Sequence, residues 1–272
     1  MAATLSRQLH EIDRGRAVRA LLVGLVAGFL SGMFGVGGGI LVVPALVMVM
    51  HMDQRLAHGT SLAAVLPIAT SGLVGYVTGD KVDWPVAGLL AVGAVAGAVL
   101  GTKLLHVLPH RTLGLIFSLL LLATALRMVL DNADAAGRSD LTVLPALLLV
   151  VIGVLSGILA GLLGVGGGII MVPAMVVLFG VPAAVAKGTS LAVIIPTSLM
   201  GTWRNRKKKN ADLPIAAMVG LGGVLSAFLA SKISIGLDET VSNVLFAVLL
   251  TVVAVRMLLQ LERERRSGSA EA

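Results

Sequence analysis

The chain has 272 residues, of which 57% are hydrophobic and only 13% charged, with a mean hydropathy of +1.00. A water-soluble domain carries about 25% charged residues on its hydrated surface, so these proportions exclude one and require most of the outer surface to face lipid. The net charge of +7 and pI near 10.4 come from Lys and Arg in short segments between apolar stretches, not from one basic face, so they report topology and give no ground for a nucleic-acid partner.

Apolar runs of ~20 residues match the length needed to cross a ~30 Å hydrocarbon core. With no water there to satisfy the backbone, such spans are helices. The runs are continuous and do not alternate, which disfavours a β-barrel. The expected fold is therefore all-α, a polytopic integral membrane protein embedded in the lipid bilayer. In chain order it begins with a polar N-terminus, residues 1–17, containing Arg7, Arg14 and Arg16, with Arg19 just beyond. The glycine-rich motif lies inside the first apolar stretch, so that stretch is read as retained and not as a cleaved signal. A first transmembrane repeat, residues 18–131, holds apolar segments at 20–34, 40–50, 57–77, 84–105 and 113–130. A connecting loop, 132–140, leads to a second repeat, 141–261, with segments at 141–163, 169–181, 186–203, 213–231 and 241–261, and a polar tail, 262–272.

The two repeats are one pattern written twice. Shifted by 129 residues, Gly35–Ile40 (GVGGGI) returns as Gly164–Ile169, Pro44 as Pro173, Pro67 as Pro196, and Gly59-Thr60-Ser61-Leu62 as Gly188-Thr189-Ser190-Leu191. Duplicated apolar units with glycine and proline landmarks are the signature of a transporter built from repeats. In the first repeat the segments flanking the glycine loop are only fifteen and eleven residues, roughly 22 and 16 Å at 1.5 Å per residue. A re-entrant hairpin tipped by the glycines fits them better than two crossings. The second pair is longer, so a double crossing stays open there. A hairpin plus three spans gives an odd number of net crossings, so the copies face opposite ways as inverted repeats. Placing both termini in the cytoplasm puts the basic segments around His51–His58, Lys103–Arg111 and Arg204–Lys209 inside, and the net acidic ones around Asp80–Asp83, Asp131–Asp140 and Lys232–Glu239 outside.

All fourteen carboxylates lie in loops, termini or span edges, and the five His lie in the first half. Buried acids or His usually carry proton relays and cation sites in membranes, so the pattern argues against a carboxylate-based cation pump. His106 and His110 have helical spacing, but Pro109 interrupts them and no carboxylate is near, so no metal is expected there. There is no Cys, hence no disulfide framework or thiolate metal site, and no P-loop for an ATPase motor. No catalytic residue and no cofactor are expected.

The candidate substrate-binding residues are Gly37, Gly38, Gly39, Gly166, Gly167 and Gly168, with Thr60, Ser61, Thr189, Ser190 and Lys187. Glycines admit a ligand to backbone N–H groups, and a helix N-terminus adds about half a positive charge. Close helix packing is the competing use of the same glycines. The Thr and Ser hydroxyls begin a span, where they either cap the helix or donate to a bound oxyanion. Lys187 near an apolar span start suggests a ligand, although snorkelling to the interface would explain it as well. Arg127 and Arg256 end their spans and are read as snorkelling anchors.

The motifs GVGGGILVVPAL and GVGGGIIMVPAM, followed by HGTSLAAVLP and KGTSLAVIIP, resemble the sulfite exporter TauE/SafE family of bacterial membrane permeases over about residues 18–261. The resemblance implies a multi-pass protein of the bacterial plasma membrane with about eight spans. It implies secondary transport of small sulfur-containing or organic anions such as sulfite or sulfonates, with an exporter the leading expectation. His58 stands where the second repeat has Lys187, which departs from a symmetric pair of cationic ligands. The competing readings are a divalent metal-cation carrier, which needs oxygen- or His-rich depth, and a membrane-embedded enzyme or assembly subunit, which needs a nucleophile beside a base.

Overall fold

The computed structural model describes residues 14–104, 115, 118–119, 121–123, 125–126, 142–164, 166–207 and 210–268. The expected fifth segment of the first repeat falls mostly outside them, and His106, His110, Arg127 and the loop 132–140 fall outside them entirely. The described elements are helices: α1 (Arg14–Phe34), α2 (Gly39–Met50), α3 (Gln54–Val77), α4 (Trp84–Leu104), α5 (Val143–Leu163), α6 (Gly168–Phe179), α7 (Ala183–Lys207), α8 (Leu213–Gly236) and α9 (Glu239–Gly268). Six are long and apolar enough to cross a membrane: α1, α3, α5, α7, α8 and α9. Large apolar side chains such as Leu22, Leu25, Leu144, Leu147, Leu221, Leu225 and Val248 are exposed on their outer faces, as a lipid-facing surface requires. Trp84 and Trp203 are exposed near opposite ends of the chain's central spans, where amphipathic rings suit the two interfaces.

Helix bounds repeat with the sequence. Moving α1 and α2 by 129 residues gives α5 and α6, and moving the starts of α3 and α4 gives the starts of α7 and α8. Several helices differ in length from expectation: α9 runs on to Gly268 and α8 to Gly236, past the expected 261 and 231, and two further differences bear on the hairpins. α1 reaches back to Arg14 through a polar, Arg-rich first turn, Arg being a good helix former, so this arm is long enough to span. α6 stops at Phe179, with Gly180 as a left-handed cap at φ 63°, so the second hairpin is no longer than the first. Each pairs an arm of 21 residues with one of 12. A 12-residue helix is about 18 Å long, too short to cross.

Glycine contacts give the relative helix directions. Gly24, Gly28 and Gly32 of α1 abut Val219, Gly223 and Ala227 of α8 in rising order, so these helices run parallel. Gly93 and Gly97 of α4 abut Val150 and Val154 of α5, also in parallel. Each pair joins the first helix of one repeat to the fourth helix of the other. The counterparts α3 and α7 run antiparallel: Leu62 meets Gly201, Gly72 meets Leu191, and Tyr76 meets Gly188. Opposed counterpart helices are what the inverted arrangement requires. Small residues let these backbones touch, and lipid supplies no hydrophobic force between helices, so close packing holds them. α3 and α7 are the most buried spans and form the centre.

Candidate functional site

The two glycine loops meet at this centre. Gly37 and Gly38 have φ of 80° and 72°, and Gly166 and Gly167 have 81° and 82°, a region that L side chains rarely adopt. These angles turn the chain sharply enough for α2 and α6 to start beside the ends of α1 and α5. Gly37 and Gly166 both pack on Val65 and Ile194, which are themselves 129 residues apart, and Gly168 packs on the Gly35 carbonyl and Val36. Gly37, Gly38, Gly39, Gly166, Gly167 and Gly168 are all buried. Among the described residues the backbone N–H groups of Gly37, Gly38, Gly166 and Gly167 make no hydrogen bond to a backbone carbonyl. Gly38 and Gly167 are the N-caps of α2 and α6, where helices leave backbone donors without intrahelical partners.

The Gly-Thr-Ser runs build a clasp across the repeats. Ser61 Oγ donates to the Gly164 carbonyl at 3.0 Å, and its counterpart Ser190 donates to the Gly35 carbonyl. Thr60 Oγ1 accepts from the Asp212 N–H at 2.9 Å, and Thr189 Oγ1 accepts from the Asp83 N–H at 2.9 Å. Gly59 lies against the Asn210 carbonyl and Gly188 against the Lys81 carbonyl, where any Cβ would overlap backbone. All four hydroxyl residues are fully buried. Each holds the loop or span start of the other repeat. A serine hydroxyl has one hydrogen, so Ser61 and Ser190 have none to offer an oxyanion in this conformation.

Lys187 sits at the edge of this clasp. Its Nζ donates to Ser242 Oγ at 2.6 Å and to Ser234 Oγ at 3.3 Å, and the side chain is 1% exposed. The rings of Phe34 and Phe246, stacked at 5.8 Å, each lie 5.8 Å from the ammonium, within cation–π range. Its hydrogen-bond partners are hydroxyls, with no carboxylate between them. Ser234 donates in turn to the Met33 carbonyl at 2.9 Å, and Tyr76 donates to the Gly32 carbonyl at 2.8 Å. The last carbonyls of α1, which have no intrahelical partner, are thus capped by α3 and α8. Snorkelling does not describe Lys187, because its ammonium points into protein.

The counterpart of Lys187 lies in the opposite setting. His58 lines a cleft of about 560 Å³ bounded by α1, α2, the start of α3 and α9. Ile40 and Ile169, the residues directly after the two glycine triplets, both reach it, and its polar lining comprises Gln54, His58 and Arg256. Exposed Met48 and Arg256 mark its open side. Among the described residues the clasp is symmetric, while of its two flanking counterparts His58 lines a cleft and Lys187 is buried under Ser234, Ser242, Phe34 and Phe246.

Ser31, Ser156, Ser234, Ser242, Phe34 and Phe246 were not singled out from the sequence. Ser156 Oγ donates to the Gly167 carbonyl at 2.7 Å. Ser31, beside Gly38, is fully buried and its hydroxyl has no partner among the described residues. The only signal available for Ser31 was its spacing of four residues from Gly35.

The family model described as sulfite exporter TauE/SafE matches residues 1–128 and 149–272. A probable membrane transporter protein of Xylella fastidiosa (strain 9a5c) is 28% identical over 242 residues, covering 86% of this chain and 92% of that protein. The probable membrane transporter protein YunE of Bacillus subtilis is 27% identical over 205 residues, covering 67% and 75%. The probable membrane transporter protein MJ0441 of Methanocaldococcus jannaschii is 25% identical over 255 residues, covering 88% and 94%.

Proposed function

The chain belongs to the sulfite exporter TauE/SafE family of membrane transporters, and from that premise we propose that it is a secondary carrier of small sulfur-containing or organic anions such as sulfite or sulfonates. It is a multi-pass membrane protein; the bacterial plasma membrane, cytoplasmic termini and the direction of export belong to the proposal. The observation that carries it is the unequal access to two equivalent ends. The cleft at His58 reaches the helices that leave both glycine loops, and the Lys187 end is sealed by Ser234, Ser242, Phe34 and Phe246. A carrier needs one end closed while the other is open, and inverted repeats supply the two states by exchanging conformations.

An anion is favoured by the charges. Orphan N–H groups at Gly37, Gly38, Gly166 and Gly167 lie at the positive ends of α2 and α6. The cation at Lys187 is balanced by no carboxylate among its partners. In this reading the substrate moves from the cleft to the glycine loops, where the Ser31 hydroxyl adds a donor. The clasp then rearranges, and Thr60, Ser61, Thr189, Ser190 and Lys187 come within its reach. Flux of sulfite and of a small sulfonate into proteoliposomes tests this. Gly167→Val and Lys187→Ala are expected to abolish uptake; unchanged flux in both variants overturns the assignment.

A further inference from the structure

We propose that the cleft beside His58 is a binding site for an organic anion that carries an apolar body, with Arg256 reading its anionic head. This rests on the anion-carrier reading and narrows it. Arg256 lies near the end of the apolar span 240–259 of α9, where a long cationic side chain either snorkels to the interface or faces protein or water. The fold turns it to the cleft, which it lines together with Gln54 and His58. No Asp or Glu is among the described residues lining the cleft, so its positive charge has no acid there to oppose it. The guanidinium fork suits a planar carboxylate or the oxygens of a sulfonate.

The rest of the wall is apolar, including Leu41, Val47, Val252, Val253 and Met257. A cleft of about 560 Å³ with few polar groups has the proportions of a site for a molecule with an apolar body. Bare sulfite would leave that wall unused. Its two charges would lose hydration against a single arginine, which one pairing does not offset. An organic monoanion pairs its one charge with Arg256 and buries its chain on α2 and α9.

The test is a binding titration of the purified full chain in phosphatidylcholine nanodiscs, using sulfite and the straight-chain sulfonates from methane- to butanesulfonate. The expected result is about fourfold tighter binding per added methylene. Arg256→Gln should weaken every sulfonate by about tenfold or more with the same chain-length slope, while Arg256→Lys, which keeps the charge, should lose less. Val253→Trp should fill the wall and flatten the chain-length slope. A flat slope in the wild type, sulfite binding as tight as butanesulfonate, or indifference to Arg256→Gln would overturn the proposal. So would Arg256-dependent loss of sulfonate binding when phosphatidylglycerol replaces part of the phosphatidylcholine, since a lipid headgroup would then occupy the site. Parallel flux assays separate the two levels. Sulfite transport with a flat binding slope defeats this site alone; a steep slope with no flux of any anion defeats the carrier reading and leaves the site standing.

Discussion

Removing the serine hydroxyls of the clasp distinguishes a structural tie from a ligand. Ser190→Ala strips the donor from the Gly35 carbonyl, and Ser61→Ala strips it from the Gly164 carbonyl. Both glycines are buried, so no water replaces the lost partner. A buried acceptor left without a donor costs about 1–3 kcal/mol. Each single variant should therefore lose about 1–3 kcal/mol, and the double variant about 2–6 kcal/mol if the two ties act independently. Thr70→Ala is the matched control: its hydroxyl is exposed and bonds the Leu66 carbonyl of its own helix at 2.8 Å, and such a change stays within about 0.5 kcal/mol. Equilibrium unfolding in mixed detergent micelles, followed by tryptophan fluorescence, measures the differences. If Ser190→Ala unfolds with Thr70→Ala yet loses anion binding, the hydroxyl serves the substrate and the clasp argument is refuted.

The remaining expectations concern packing, charge, backbone and topology. Gly28→Ala and Gly157→Ala would each drive a Cβ into backbone of the partner helix, at Gly223 and Ala94 respectively, whereas Gly88 has nothing within 4 Å; melting curves should show losses of about 1–3 kcal/mol for the first two and none for Gly88→Ala. Lys187→Met keeps the length of the side chain without its charge; stability should hold or rise by about 1–4 kcal/mol while anion flux is lost, as read from paired melting and uptake assays. Gly37→Ala places a Cβ at φ 80° and should cost about 1–2 kcal/mol in unfolding measurements, with Val costing more because Ile194 and Val65 already crowd the position. The chain has no cysteine, so Asp80→Cys and Asn210→Cys can be labelled selectively. An impermeant maleimide on intact cells should modify the first and spare the second.

Some of this architecture was legible in the residues alone. The glycines of the loops announced close backbone approach, since a residue without Cβ permits it. The offset of 129 residues placed the helix starts of one repeat from those of the other. Helix ends were less legible. The polar start of α1 and the glycine stop of α6 outweighed the apolar boundaries, because hydropathy marks what lipid tolerates and not where backbone hydrogen bonding ends.

What the residues could not settle was the use of each polar group. The hydroxyl of Ser61 is equally able to cap a helix, meet an anion or bond a distant carbonyl, and only the packing of α3 against the opposite loop selects the third. Lys187 and His58 occupy equivalent places in the repeat, yet one is sealed by serines and phenylalanines and the other lines a cleft. Sequence by itself determined a membrane-embedded, duplicated helical chain, because burial in lipid and backbone geometry are properties of local composition. Tertiary structure alone decided which donors are already taken and which end is open, because both depend on residues more than a hundred positions apart meeting across the repeats.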